Sequence, residues 1–357
     1  SRLDANHRPS KILAHRLGTP ADTDVVVYDE PDAGFFCDVG ATQSRAFITI
    51  ESHDHRTSEI RLLAAGDISA TPTLIAPRQE GVEMSVEHRG DTLFFLTNAD
   101  GAEDFKICRA PLVTPERKHW RDFIAHRPGT MIISMAVFAG HLVRLERQDG
   151  LPRIVIHQFD SGEEHAIDFD EAAYSLSFSA GYEFATDWLR FSYSSMTTPS
   201  ETYDYNMLTR ARVLRKRQQV PSGHDAKSYV TRRIEATAAD GERVPVSLLY
   251  RQDTPLDGTA PCLLYGYGAY GISIPAAFST DRLSLVDRGF IYAIAHIRGG
   301  KEHGYRWYRD GLPASFPRVI NFLDPTTESG GTDLVRQVGD IFSPTGLLSQ
   351  ANNYEYR

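Results

Sequence analysis

The sequence predicts a partial β-propeller of about four blades followed by the first part of an α/β domain. Three observations carry this. From Asp24 to about Arg217 the chain is a succession of short β-branched and aromatic runs separated by polar, glycine-rich turns. Those runs recur in fours at intervals of ~45 residues, the period of propeller blades. Near Gln218 the pattern stops, and a hairpin, an apolar strand, a helix and a second apolar strand follow, the mixture of an α/β layer.

The first group of runs covers 25–28, 34–41, 46–52 and 58–64, and the second covers 73–78, 82–89, 92–98 and 104–112. The third covers 131–140, 141–148, 153–160 and 163–169, and the fourth 173–179, 188–195, 201–207 and 210–217. Each blade buries its faces against its neighbours. A β-sandwich would not show this four-by-four grouping. The segment 218–228, "QQVPSGHDAKS", reads as a linker. A hairpin then turns at Asp240-Gly241. The apolar run Cys262–Tyr265 leads into "GYGAYG", Ser279 is placed to cap the helix "TDRLSLVDR", and Gly289 is placed to close it. "FIYAIAHIRGG" (290–300) has the near-continuous apolar character of a strand covered on both faces. After Gly311 four prolines break the pattern, and only 332–342 retains a helical period. The expected organisation is therefore 1–217 partial propeller, 218–228 linker, 229–311 start of an α/β domain and 312–357 irregular tail.

Composition narrows the function. The 357 residues carry a net charge of -9, with 41% hydrophobic and 24% charged residues, as in ordinary soluble proteins. The acidic balance disfavours nucleic acid and mildly favours cationic partners. No window reaches the ~18 apolar residues of a membrane span, and "SRLDANHRPSKILAHRLG" has no leader-like apolar core. Neither a nucleic acid nor a membrane is an expected partner. Cys37, Cys108 and Cys262 are odd in number and lie in apolar runs, as reduced thiols of a cytoplasmic protein would. "GGKEHG" (299–304) does not meet the Walker order, and His53 and His55 flank Asp54 in what reads as a solvated hairpin turn. No cofactor and no metal are expected.

The chemistry concentrates in "PCLLYGYGAYGISIP" (261–275). Glycines on both sides of Tyr267 allow close backbone approach at the end of a strand. A tyrosine hydroxyl fixed there can donate to a developing oxyanion, a contact worth ~3 kcal/mol. The competing reading is a tight turn whose tyrosines pack on the core. A G-x-S-x-G elbow, which would supply a nucleophile in the chain order Ser, acid, His, is absent. The last of thirteen histidines is His303, so no base follows any late nucleophile.

The block "LLYGYGAYGISIPAAFSTDRLSLVDRGFIYAIAHIRGGKEHGYRWYRDG" (263–311), with "HRLGTPADTDVVVYDE" (15–30), "TSEIRLLAAG" (57–66) and "YSSMTTP" (193–199), resembles the oligopeptidase B branch of the prolyl oligopeptidase family of serine peptidases. That resemblance implies a seven-bladed propeller capping an α/β-hydrolase domain. It also implies cleavage of short peptides after Arg or Lys, with the propeller as a size filter. By the same resemblance Tyr267 is the oxyanion donor, and Tyr270 lies beside the substrate side chain next to the cleaved bond. The family's serine elbow, aspartate, histidine and basic-pocket carboxylates have no matching position. The sequence is therefore expected to be a truncated or frame-shifted fragment, inactive as it stands. A non-catalytic propeller that binds partners is the alternative.

Overall fold

The computed structural model describes residues 1–238 and 240–311. The expected tail, 312–357, and its helical stretch lie outside them. Five antiparallel sheets come first. The opening sheet has three strands, Arg2–Leu3, Pro9–Ala14 and Val25–Asp29. Four four-stranded meanders follow, each with its strands in sequence order. They begin at Phe36, Met84, Thr130 and Tyr174 and end at Leu74, Ile124, Ala166 and Arg217.

The apolar cores lie between successive sheets, as blade packing requires. Ile12 of the first sheet meets Cys37 and Ile50 of the second. Ile60 and Leu62 of the second meet Leu93 and Phe95 of the third. Phe94 and Leu96, on the other face of that strand, meet Met131 and Leu142 of the fourth. Val143, Ile154 and Ile156 meet Leu189 and Phe191 of the fifth. Alternation along each strand thus sends side chains to two different cores.

The third and fourth expected groups coincide with sheets, but the first two were out of phase. Val25–Asp29 pairs with Pro9–Ala14 and belongs to the opening sheet. Thr73–Leu74 closes the second sheet, and Arg121–Ile124 closes the third. A period of four carries no phase. Three strands that the patterning missed, Arg2–Leu3 and Pro9–Ala14 near the N-terminus and the short half-exposed edge Arg121–Ile124, displaced the count.

The turn between the first two strands of the second sheet ties three sheets together. Gln43 N–H donates to the Glu87 carboxylate at 2.8 Å, and Gln43 Nε2 reaches the Ala180 carbonyl of the fifth sheet at 3.1 Å. Burial raises the Glu87 pKa to about 7 against the stabilising hydrogen bond from Gln43. An acid whose pKa is raised on folding contributes stability that is complete below its unfolded value of 4.5. That stability disappears as pH climbs through about 7. Glu87→Gln is therefore expected to remove a fall of roughly 3 kcal/mol between those limits, one pKa unit being about 1.4 kcal/mol. Urea midpoints of the two proteins across this range read the difference directly. Parallel pH curves would refute it.

The sixth sheet runs Tyr229–Thr237, Arg243–Arg251, Ile291–Ala295, Cys262–Gly266 in spatial order. The first pair is the expected hairpin. Ile291–Ala295 is buried at every residue and lies parallel to Cys262–Gly266, in register from Cys262↔Ile291 to Gly266↔Ala295. The helix Thr280–Val286 makes the crossover between the two. Ser279 occupies its N-cap without a side-chain bond, and Gly289 ends it at φ +88°. Leu283 and Val286 pack on Leu249, Tyr292 and Ile294, together with Ala173 and Met196 of the fifth propeller sheet.

Candidate active site

Parallel strands present the loops at their C-terminal ends to ligands. Here the loop after Gly266 and the loop after Ala295 emerge side by side. Gly271 N–H donates to Gly299 O at 2.7 Å. A Cβ on Gly268 would stand 2.7 Å from Arg298 O, 2.8 Å from Ile297 O and 2.9 Å from Gly300 N, so only glycine admits this approach. Tyr270 takes φ +56° and Gly271 +79°, and both are turned sharply by the contact. Tyr267 is 39% exposed, and among the described residues its hydroxyl makes no hydrogen bond. Tyr270 is 82% exposed. The two tyrosines expected from the sequence therefore share one exposed, glycine-braced loop.

The second loop is fixed from beneath. Trp307, on the helix Tyr305–Arg309, is fully buried. Its Nε1–H donates to His296 O at 3.2 Å, and its carbonyl accepts Gly299 N–H at 3.0 Å. Asp104, in the third propeller sheet's connection, accepts Tyr305 N–H at 2.6 Å and Gly129 N–H at 2.6 Å. Gly304, at φ +80°, leaves room for that carboxylate. The propeller thus caps the short helix that positions the loop, and the loop in turn seats Gly268.

Two features escaped the sequence reading. Ser247 Oγ lies 2.9 Å from His296 Nε2, and His296 Nδ1 lies 3.5 Å from Glu302 Oε1. This chain has the order serine, histidine, acid. Ser247 sits in mid-strand at 1% exposure, not on a strand-to-helix elbow. It is a buried polar network. A serine inside one apolar strand and a histidine at the end of another each need a partner when buried, which is the signal that would have found it. The second feature is the strand end "YSSMTTP". Glu171 accepts from Tyr193 Oη at 2.8 Å, Thr197 Oγ1 at 2.8 Å and Thr198 Oγ1 at 2.6 Å. Ser194 Oγ accepts Phe278 N–H at 2.9 Å, joining the fifth sheet to the crossover. The "SHDHR" turn is capped by Asp54, which accepts the Arg56 and Thr57 N–H groups at 2.7 Å each. Cys37, Cys108 and Cys262 are free thiols, and burial raises Cys108 and Cys262 to about 12.

Fold and loops together define a propeller-bearing α/β hydrolase. The prolyl oligopeptidase N-terminal β-propeller family matches residues 1–218, and the prolyl oligopeptidase family matches 276–314. The chain belongs to the prolyl oligopeptidase family, whose members are serine peptidases. It is 44% identical to dipeptidyl aminopeptidase BI of Pseudoxanthomonas mexicana, over 88% of this chain and 44% of that protein. It is 30% identical to protease 2 of Moraxella lacunata, over 87% and 44%. Oligopeptidase B from Trypanosoma brucei, solved with covalently bound antipain in a closed form, superposes with a TM-score of 0.82 at 36% identity. That match covers 87% of this chain and 45% of the other. The chain spans less than half the length of these relatives. No helix among the described residues is long and apolar enough to cross a membrane.

Proposed function

We propose that this chain forms the propeller-side part of a cytoplasmic serine peptidase that hydrolyses short peptides after Arg or Lys. In this reading 1–217 belong to the propeller, 218–228 link it, and 229–311 open the hydrolase domain. Tyr267 donates its hydroxyl to the oxyanion of the tetrahedral intermediate, and Tyr270 flanks the side chain preceding the cleaved bond. The observation that carries the reading is the unengaged Tyr267 hydroxyl on a loop held rigid against the 296–304 loop at the ends of two parallel strands. A donor aimed before the reaction begins costs no reorganisation when charge develops. The serine, acid and base are not supplied by this chain, and the 357 residues alone are expected to be inactive. The buried free thiols of Cys37 and Cys108 support the cytoplasmic placement.

Fluorogenic peptides test the substrate class, using a form of the protein extended to the length of its relatives. An N-terminally blocked peptide with Arg or Lys before the scissile bond is expected to exceed its Leu counterpart about 100-fold in kcat/KM. That is the worth of one charge-assisted contact of about 3 kcal/mol. Cleavage confined to peptides with a free amine, two residues from the end, would instead assign the exopeptidase activity named for the Pseudoxanthomonas relative. Absence of any cleavage would favour a propeller that only binds.

A further inference from the structure

A second site lies where the propeller meets the sixth sheet. A cavity of about 120 Å³ opens between the fourth and fifth propeller sheets and the segment that follows Tyr270. Its polar lining includes Arg147, Arg233, Ser247, Ser273, His296 and Glu302. Glu302 is 1% exposed, and neither of its carboxylate oxygens has a hydrogen-bond partner. His296 Nδ1, 3.5 Å away, is likewise without one. A buried carboxylate left in this state is costly, so the cavity is built to receive a donor.

Two guanidinium groups line the same cavity. Arg147, on the strand His141–Gln148, lines the cavity within reach of the Glu302 charge but forms no ion pair with it. The Arg233 guanidinium stands beside Glu302, both flanking Gly150, where it is anchored on the Asp149 carbonyl. A Cβ at Gly150 would stand 3.0 Å from Arg233 Nη2 and 3.6 Å from Glu302 Cβ, so the glycine keeps this corner open.

We propose that this cavity binds a small zwitterion, a free amino acid, with its ammonium on Glu302 and His296 and its carboxylate on Arg147 and Arg233. A carboxylate and two guanidinium groups lining one small cavity match both ends of such a ligand, and guanidinium is the side chain best shaped for a carboxylate. A simple cation would leave the arginines unanswered, and a simple anion would leave Glu302 unanswered. The described residues hold no cluster of three metal-ligating side chains. The volume sets the size. At about 120 Å³ the cavity lies well below the about 300–1,000 Å³ of sites for drug-sized ligands and suits a small amino acid such as glycine or alanine. The occupant would also brace the loop, since Ser273 Oγ accepts Lys301 N–H at 3.2 Å three residues beyond Tyr270. Binding here does not depend on peptide cleavage.

Scanning fluorimetry and calorimetry of the 357-residue chain test the site with glycine and L-alanine as probes. Both are expected to raise the melting temperature by a few degrees, saturably and at millimolar concentration. N-acetyl-L-alanine, which lacks the ammonium, and L-alaninamide, which lacks the carboxylate, are expected to leave it unchanged, as is L-tryptophan. Glu302→Gln and Arg147→Gln are each expected to abolish the response. The analogue pair reads the same claim on the unaltered chain should a variant not fold. No saturable response to glycine or L-alanine would overturn the proposal and leave the cavity to water. An equal response to either analogue would overturn the two-ended contact.

Discussion

Trp307→Ala is expected to destabilise the chain by about 3–5 kcal/mol, the cost of emptying a fully buried large aromatic site. Trp307 joins three parts of the structure. Its ring lies in the core formed by Val246, Leu248, Ala293 and Ala295. Its Nε1–H holds the His296 carbonyl, and the His303 ring meets it edge-on at 4.8 Å. Removing it leaves a cavity beneath the 296–304 loop, and with it the surface against which Gly268 is seated. Trp307→Phe retains most of the packing and loses the donor, so it is expected to recover most of the stability. Urea unfolding followed by circular dichroism measures both. A cost below about 1 kcal/mol for the alanine variant would show that the loop is held by other contacts.

Tyr267→Phe is expected to lower kcat about 100-fold or more with little change in KM, in a form of the protein that carries a nucleophile. The fold of the effect follows from the ~3 kcal/mol worth of one oxyanion donor. A contact made only in the transition state changes kcat and leaves ground-state binding in place. Tyr270→Ala is expected to show the opposite division, since its exposed ring would touch substrate in the ground state. An unchanged kcat for Tyr267→Phe would remove this residue from the chemistry and leave it a packing tyrosine at the end of a strand.

Much of the fold was legible because it rests on short-range patterning. The third and fourth blade groups, the hairpin at Asp240-Gly241, the buried strand Ile291–Ala295 and the crossover helix all declare themselves by period, turn residues and apolar runs. The phase of the early blades did not, because Pro9–Ala14 is a short central strand set among charged residues and Arg121–Ile124 is a short, half-exposed edge, and both are defined by their partners. The candidate site was half legible. The glycines around Tyr267 announced a close approach, but the sequence could not say what approached. The answer, the backbone of Ile297, Arg298 and Gly300, lies about thirty residues on and is a property of the parallel register. Asp104 was silent for the same reason. It caps the helix at Tyr305 across 201 residues of sequence, a pairing no local pattern encodes. The Ser247–His296–Glu302 network sits on one strand and the 296–304 loop, and only the sheet order brings the three together.

The central claim is that this chain supplies an oxyanion donor and no nucleophile. Labelling with a fluorophosphonate probe tests it most directly. The 357-residue chain is predicted to take up no label, Ser247 included, while a form extended to the length of its relatives is predicted to label at one serine outside the present sequence. Labelling of the 357-residue chain at any defined serine would contradict the claim.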